Sequence, residues 1–254
     1  MGALKALCLA FSMYSKIPMP KVCWNKENMR YAMCFLPFVG AVIGAGLMLW
    51  FHICMRLNIG NACFAAIAAI VPVLITGGIH TDGFIDTSDA LSSYGSKQKK
   101  LEILSDPHVG AFGIISAIVY YLIYFGFLTE IKNYGEAAMI AVGFVMSRSL
   151  CAIEIVLMKT AKDTGLLYEF SSSINKTVTL VVTLFVIICC ALTMIFLSPF
   201  VGGALLFFLM LLLMYYKFFI AKKIGGITGD TCGWFIQMCE LIVAAVIVIG
   251  GRLV

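Results

Sequence analysis

Charge is scarce in this sequence. Only 12% of its 254 residues are Asp, Glu, Lys or Arg, against 62% hydrophobic. Soluble domains carry about 25% charged residues to cover their surface, so a water-soluble globular fold is excluded. No Cys-x-x-Cys pair occurs among the ten cysteines, so neither a zinc site nor a dithiol redox motif is expected. Most of those cysteines lie in or beside apolar runs and read as small core or lipid-facing residues. The basic residues form no dense patch but are scattered over separate segments, so nucleic acid is not an expected partner.

What is present is a series of long apolar runs, at about 31–55, 60–79, 111–130, 136–158, 178–198, 200–221 and 235–251. Each is close to the roughly 20 residues that a helix needs to cross a bilayer. In hydrocarbon every backbone amide must be paired within its own segment, and the runs are too long and continuous for barrel strands. The expected fold is all-α: a polytopic membrane helix bundle of about seven transmembrane helices, forming one domain over residues 1–254. Met1 to Tyr14 is apolar but short and is interrupted by Lys5. No small-residue cleavage site follows, so it reads as an interfacial or re-entrant helix rather than a signal peptide. Pro18 and Pro20 end it.

Lys and Arg collect in the cytoplasmic loops of membrane proteins. With the N-terminus inside, fourteen of them fall on that side, and only Arg56, Lys132 and Arg252 fall outside, with Arg148 within a span. The bias predicts a cytoplasmic N-terminus and contact with anionic lipid. It also puts the three longer connections, near 80–110, 159–177 and 222–234, on the cytoplasmic side.

Those connections carry the polar chemistry. The first reads Gly77-Gly78-Ile79-His80-Thr81-Asp82-Gly83-Phe84-Ile85-Asp86-Thr87-Ser88-Asp89. At about 100° per residue, a helix after Gly83 puts Asp82, Asp86 and Asp89 within an arc of roughly 60°. Three carboxylates on one stripe repel each other at a membrane edge unless a cation sits among them. Mg²⁺ is usually held by one or two carboxylates plus substrate phosphates. The stripe therefore points to a Mg²⁺–phosphate site, with a solvated acidic face as the bland alternative. Gly77, Gly78 and Gly83 favour the first, since glycine allows close approach of a ligand. On a continuous helix His80 points away from the stripe. If the entry is a turn it can act as general base, phosphate donor or structural hydrogen-bonder.

The second cluster, Ser105-Asp106-Pro107-His108-Val109-Gly110, is an ordered loop at the same edge or a polar helix-start turn. The third, Gly225-Gly226-Ile227-Thr228-Gly229-Asp230-Thr231-Cys232-Gly233, is a glycine-rich turn able to cradle phosphate, with Asp230 a further metal oxygen. Glu240 follows, inside the last span. Arg148 and Glu154 share another span, where Arg148 either binds phosphate or pairs with an acid for structure.

Taken in order, these segments resemble the cobalamin synthase family, also called adenosylcobinamide-GDP ribazoletransferases. Gly77 to Asp89 resembles its G-G-x-H-x-D-G-x-x-D-x-x-D motif, Asp106 to Phe112 its D-x-x-[IV]-G-A-F block, and Gly225 to Gly233 its G-G-x-T-G-D-x-x-G block. Ile17-Pro18-Met19-Pro20 and Phe35-Leu36-Pro37-Phe38-Val39-Gly40 resemble two further elements, so the likeness runs from about residue 11 to 240. Ala90, Thr81 and His108 depart from the pattern, and none of the three removes a carboxylate. The resemblance implies an enzyme of the bacterial or archaeal cytoplasmic (inner) membrane. It would join adenosylcobinamide-GDP to α-ribazole or its 5′-phosphate, release GMP and require Mg²⁺. For that reaction the residues themselves offer Asp82, Asp86, Asp89 and Asp230 as metal ligands and His80, Asp82 and Arg148 as catalytic residues. Gly77, Gly78, Asp106, His108, Thr228 and Gly229 would bind substrate. The number of subunits stays open, a homo-oligomer included. Two rival readings are a CDP-alcohol phosphatidyltransferase, whose Ala-Arg after Asp-Gly is missing here, and a transporter, whose acids would spread across bilayer depth.

Overall fold

The structure, a computed structural model, describes residues 2–253. In order it holds α1 (Gly2–Tyr14), α2 (Lys26–Met29), a 3₁₀ turn (Ala32–Phe35), α3 (Leu36–Leu57), α4 (Asn61–Thr76), α5 (Ile79–Ser92) and α6 (Lys97–Ile103). There follow α7 (Ala111–Thr129), α8 (Tyr134–Leu157), α9 (Leu166–Ser173), α10 (Lys176–Leu197) and α11 (Pro199–Tyr215). A π turn (Tyr216–Ile220), α12 (Ala221–Ile224) and α13 (Gly229–Gly250) complete it. The all-α membrane bundle is the fold observed. Six helical stretches are long and apolar enough to cross a bilayer, and α4 with α5 makes a seventh only as a pair bent by 98°. The run at 60–79 is therefore not a straight span: α4 stops at Thr76, and α5 leaves at a steep angle.

α8 is the hub, packed against α3, α10 and α13. Glycine lets the backbones close up, as in many membrane bundles. A Cβ at Gly40 of α3 would lie 2.3 Å from the Phe144 carbonyl oxygen of α8, and one at Gly44 would lie 2.8 Å from that of Ala141. By contrast α7 and α10 leave large apolar side chains such as Phe112, Leu122, Phe185 and Leu192 exposed, as a lipid-facing helix should. α1 is too short to span. It buries Ala6, Cys8, Leu9, Ala10 and Phe11 and packs on α2, the 3₁₀ turn and α3.

The bundle has two distinct ends. At one, Arg252 pairs with Glu130, close to Lys132 and Glu136. At the other, the three longer connections meet. Thr160 and Ile227 form a parallel bridge, closed by Ala161 N–H to Ile227 O and Ile227 N–H to Lys159 O, both at 2.9 Å. Lys162 donates to Ser105 Oγ on the connection after α6. The polar segments of the sequence are thus gathered at one end.

Candidate active site

Gly77 and Gly78 make the break before α5. Both are left-handed, at φ 69° and 83°, a region that glycine alone enters freely. Lys16 lies over Gly77, where a Cβ would come within 2.3 Å of its side chain. Neither glycine is among the residues that line the site cavity, and both turn the chain. The helix then begins at Ile79, ahead of Gly83 rather than after it.

α5 packs against α13 backbone to backbone. A Cβ at Gly83 would lie 2.7 Å from Asp230 O, and one at Gly233 would lie 2.9 Å from His80 O. Gly233 therefore serves as a spacer inside a helix, and it also lines the site cavity. α13 starts at Gly229 because Thr228 and Thr231 form a reciprocal cap across its first turn. Asp230 is carried into that turn.

These contacts bring Asp82 and Asp230 to one cavity of about 320 Å³, together with His80, Lys162, Thr228 and Gly229. Asp86 lies near enough to Asp82, Asp89 and Asp230 for their charges to act on it. Asp89 faces elsewhere. Its carboxylate accepts from Gly113 N–H at 3.3 Å, and a Cβ at Gly110 would lie 2.1 Å from both of its oxygens. It sits on the N-terminus of α7, where an anion is favoured by unpaired amides and the helix dipole. Among the described residues no group of three or more His, Cys, Asp or Glu is arranged to hold a metal ion by itself. Asp82, Asp86 and Asp230 nonetheless fit Mg²⁺ as hard oxygen donors, since that ion takes few protein ligands and fills its shell with water and phosphate.

His80 reaches the same cavity although it shares a helix with Asp82, because the cavity wraps the first turn of α5. Its ring stacks on Tyr14, with centroids 6.2 Å apart at 26°, and its Nε2 has no hydrogen-bond partner. Behind it, Gln237 donates to Thr81 Oγ1 at 2.7 Å and accepts from Tyr120 O–H at 2.7 Å. Gln237 is seven residues past Asp230, about 10 Å along the helix. The start of α5 is thus sunk below the end of α13 rather than lying at the rim.

Arg148 is held in an ion pair inside the bundle. It is fully buried, does not line the cavity, and pairs with Glu240 of α13. It also donates to Ser147 Oγ at 3.0 Å and Phe144 O at 3.3 Å. Glu154, also buried, makes no ion pair with it. Asp106 and His108 likewise lie off the cavity, exposed between α6 and α7. The His108 amide, and then its ring, bond the Asp106 carboxylate at 2.9 and 2.8 Å and hold it below the usual aspartate range. In α6, burial and then Lys223 pull Lys100 below the usual lysine range. Its ammonium donates to the Ala90 and Ser93 carbonyls at the end of α5.

A family model described as Cobalamin-5-phosphate synthase matches residues 6–248. The chain belongs to that family. Proteins named adenosylcobinamide-GDP ribazoletransferase are similar to it along nearly their whole length. One from Lachnoclostridium phytofermentans is 41% identical over 97% of this chain and 94% of its own. One from Clostridium botulinum is 34% identical over 94% of each, and one from Fusobacterium nucleatum 28% over 94% and 95%. No solved structure matches the chain.

For this member of the cobalamin-5-phosphate synthase family, sequence reasoning missed part of the cavity wall. Lys162, one of the fourteen basic residues on the expected cytoplasmic side, lines it close to Asp230. Its place in the long connection 159–177, on the same side as the acidic clusters, was the available signal. Tyr14, Cys151 and Ile155 also line it, as do Leu166, Leu167 and Tyr168 of α9. Nothing in local sequence marks them, because they are ordinary apolar positions until the fold brings them together.

Proposed function

We propose that this chain is a Mg²⁺-dependent adenosylcobinamide-GDP ribazoletransferase of the cytoplasmic (inner) membrane. It joins adenosylcobinamide-GDP to α-ribazole or its 5′-phosphate and releases GMP. The observation that carries this reading is the cavity where Asp82 and Asp230 meet Lys162 and the capped start of α13, in a chain of this family.

A ribose hydroxyl attacks the phosphorus bonded to cobinamide, and the bond to the bridging oxygen breaks, so that GMP leaves. Such a transfer is mainly a matter of positioning and charge neutralisation. Asp82, Asp86 and Asp230 would hold Mg²⁺, which when bound neutralises the diphosphate. Lys162 adds the positive charge at the mouth, and the first-turn amides of α13 favour an anion there. His80, whose Nε2 has no hydrogen-bond partner and whose ring stacks on Tyr14, or one of the aspartates would accept the hydroxyl proton. The test is to incubate detergent-purified protein with both substrates and Mg²⁺. The complete corrinoid and GMP are expected in equal amounts, and their absence would refute the reading.

A further inference from the structure

We infer that the cavity is the acceptor subsite and that it receives the nucleoside, base first, while the corrinoid stays outside the mouth. The inference rests on the function proposed above and adds which substrate the cavity takes. At about 320 Å³ it is at the lower end of what small-molecule pockets hold, roughly 300–1,000 Å³. A corrin macrocycle with its amide arms is far larger than this. Of the two reactants, only a nucleoside or nucleotide fragment fits.

The cavity also has two kinds of wall. Asp82, Lys162, Thr228 and Asp230 come from the connections and helix starts. Leu36, Ile155 and Ile236 are apolar and belong to α3, α8 and α13. Ile236 is six residues past Asp230, about 9 Å further along the helix. Ile236 therefore lies deeper than Asp230, while Leu36 at the start of α3 and Ile155 near the end of α8 flank the acids with apolar surface. A ligand seated here sets an apolar body against these side chains and its hydroxyls or phosphate beside Asp82 and Asp230.

This arrangement separates the two candidate bases. Guanine presents several donors and acceptors along its edges. Against Leu36, Ile155 and Ile236 these would lose water and find no partner, at real cost. The dimethyl-substituted benzimidazole of α-ribazole, once joined to ribose, keeps one ring-nitrogen acceptor and no donor. Its methyls match an aliphatic wall. With the base buried, the ribose hydroxyls fall beside His80 and Asp82, where the attacking oxygen belongs.

The experiment measures binding to the detergent-purified full chain by calorimetry, with α-ribazole and with GMP, in the absence of donor. Two variants narrow the cavity: Ile236→Phe, from inside, and Leu166→Trp, at a half-exposed position on α9. Both should weaken α-ribazole binding by about tenfold or more, the scale of one misfitted group in an apolar pocket, and leave GMP affinity within about twofold. In turnover, KM for α-ribazole should rise in the same proportion, with KM for the GDP-linked donor nearly unchanged. The inference is overturned if α-ribazole does not bind the wild type, or if the variants weaken GMP or the donor instead. If α-ribazole binds as described but no corrinoid product ever forms, the acceptor subsite stands and the proposed reaction falls.

Discussion

Gly83 of α5 rests on the backbone of Asp230 at the start of α13, so closely that a single added methyl would lie 2.7 Å from the carbonyl oxygen. This contact sets the separation of Asp82 and Asp230. Gly83→Ala should therefore destabilise the protein by about 1–3 kcal/mol, the range for overpacking, and lower activity more than stability. Gly126→Ala, where nothing lies within 4 Å, should change neither. Thermal unfolding and GMP release in detergent measure both; equal behaviour of the two variants would contradict the packing argument.

The Arg148–Glu240 pair joins α8 to α13 in the interior of the bundle. Removing one partner strands a buried charge, which costs about 3–5 kcal/mol. Glu240→Ala should lower thermal stability by that order. Arg148→Met with Glu240→Leu should recover most of it, since apolar replacement of a buried pair is often neutral. A direct phosphate contact by Arg148 would instead appear as activity lost in the stable double variant.

Sidedness can be read with a membrane-impermeant thiol reagent on single-cysteine variants in intact cells. Cys63, near the start of α4 at the end of the bundle opposite the acidic cavity, is exposed and should label. Cys23, exposed near the cavity end, should label only after the cells are opened. Cys189, exposed in the middle of α10, should be shielded by the bilayer and label in neither case. The reverse pattern for Cys63 and Cys23 would invert the topology.

Much of this architecture is legible in the sequence, because hydropathy over some 20 residues is a signal that tertiary context seldom overrides. The runs at 111–130 and 136–158 match α7 and α8 within a few residues. What local sequence hides depends on pairing across the chain. The apolar run begins at 235, yet α13 starts at Gly229, capped by Thr228 and with Thr231 and Cys232 buried in its first turn. The stripe of Asp82, Asp86 and Asp89 is real on the helix, but Asp89 is drawn to the amides of α7. Arg148 finds its partner 92 residues away. Lys162 becomes a wall of the site only through the bridge of Thr160 to Ile227.

The carboxylates at the cavity should matter more than those outside it. Asp82→Asn and Asp230→Asn should each lower GMP release by at least the roughly 10–100-fold seen when even a ligand's outer support is lost. Raising Mg²⁺ should partly restore them. Glu102→Gln, at an exposed pair with Lys99 on α6, should behave as wild type.

The most direct measurement is the Mg²⁺ titration of GMP release from adenosylcobinamide-GDP by wild type, Asp82→Asn and Asp230→Asn, with α-ribazole present. The account predicts no release without the cation, saturating release by the wild type, and curves shifted to higher Mg²⁺ with lower plateaus for both variants. Full release with the cation chelated, or curves for the variants that overlay the wild type, would contradict it.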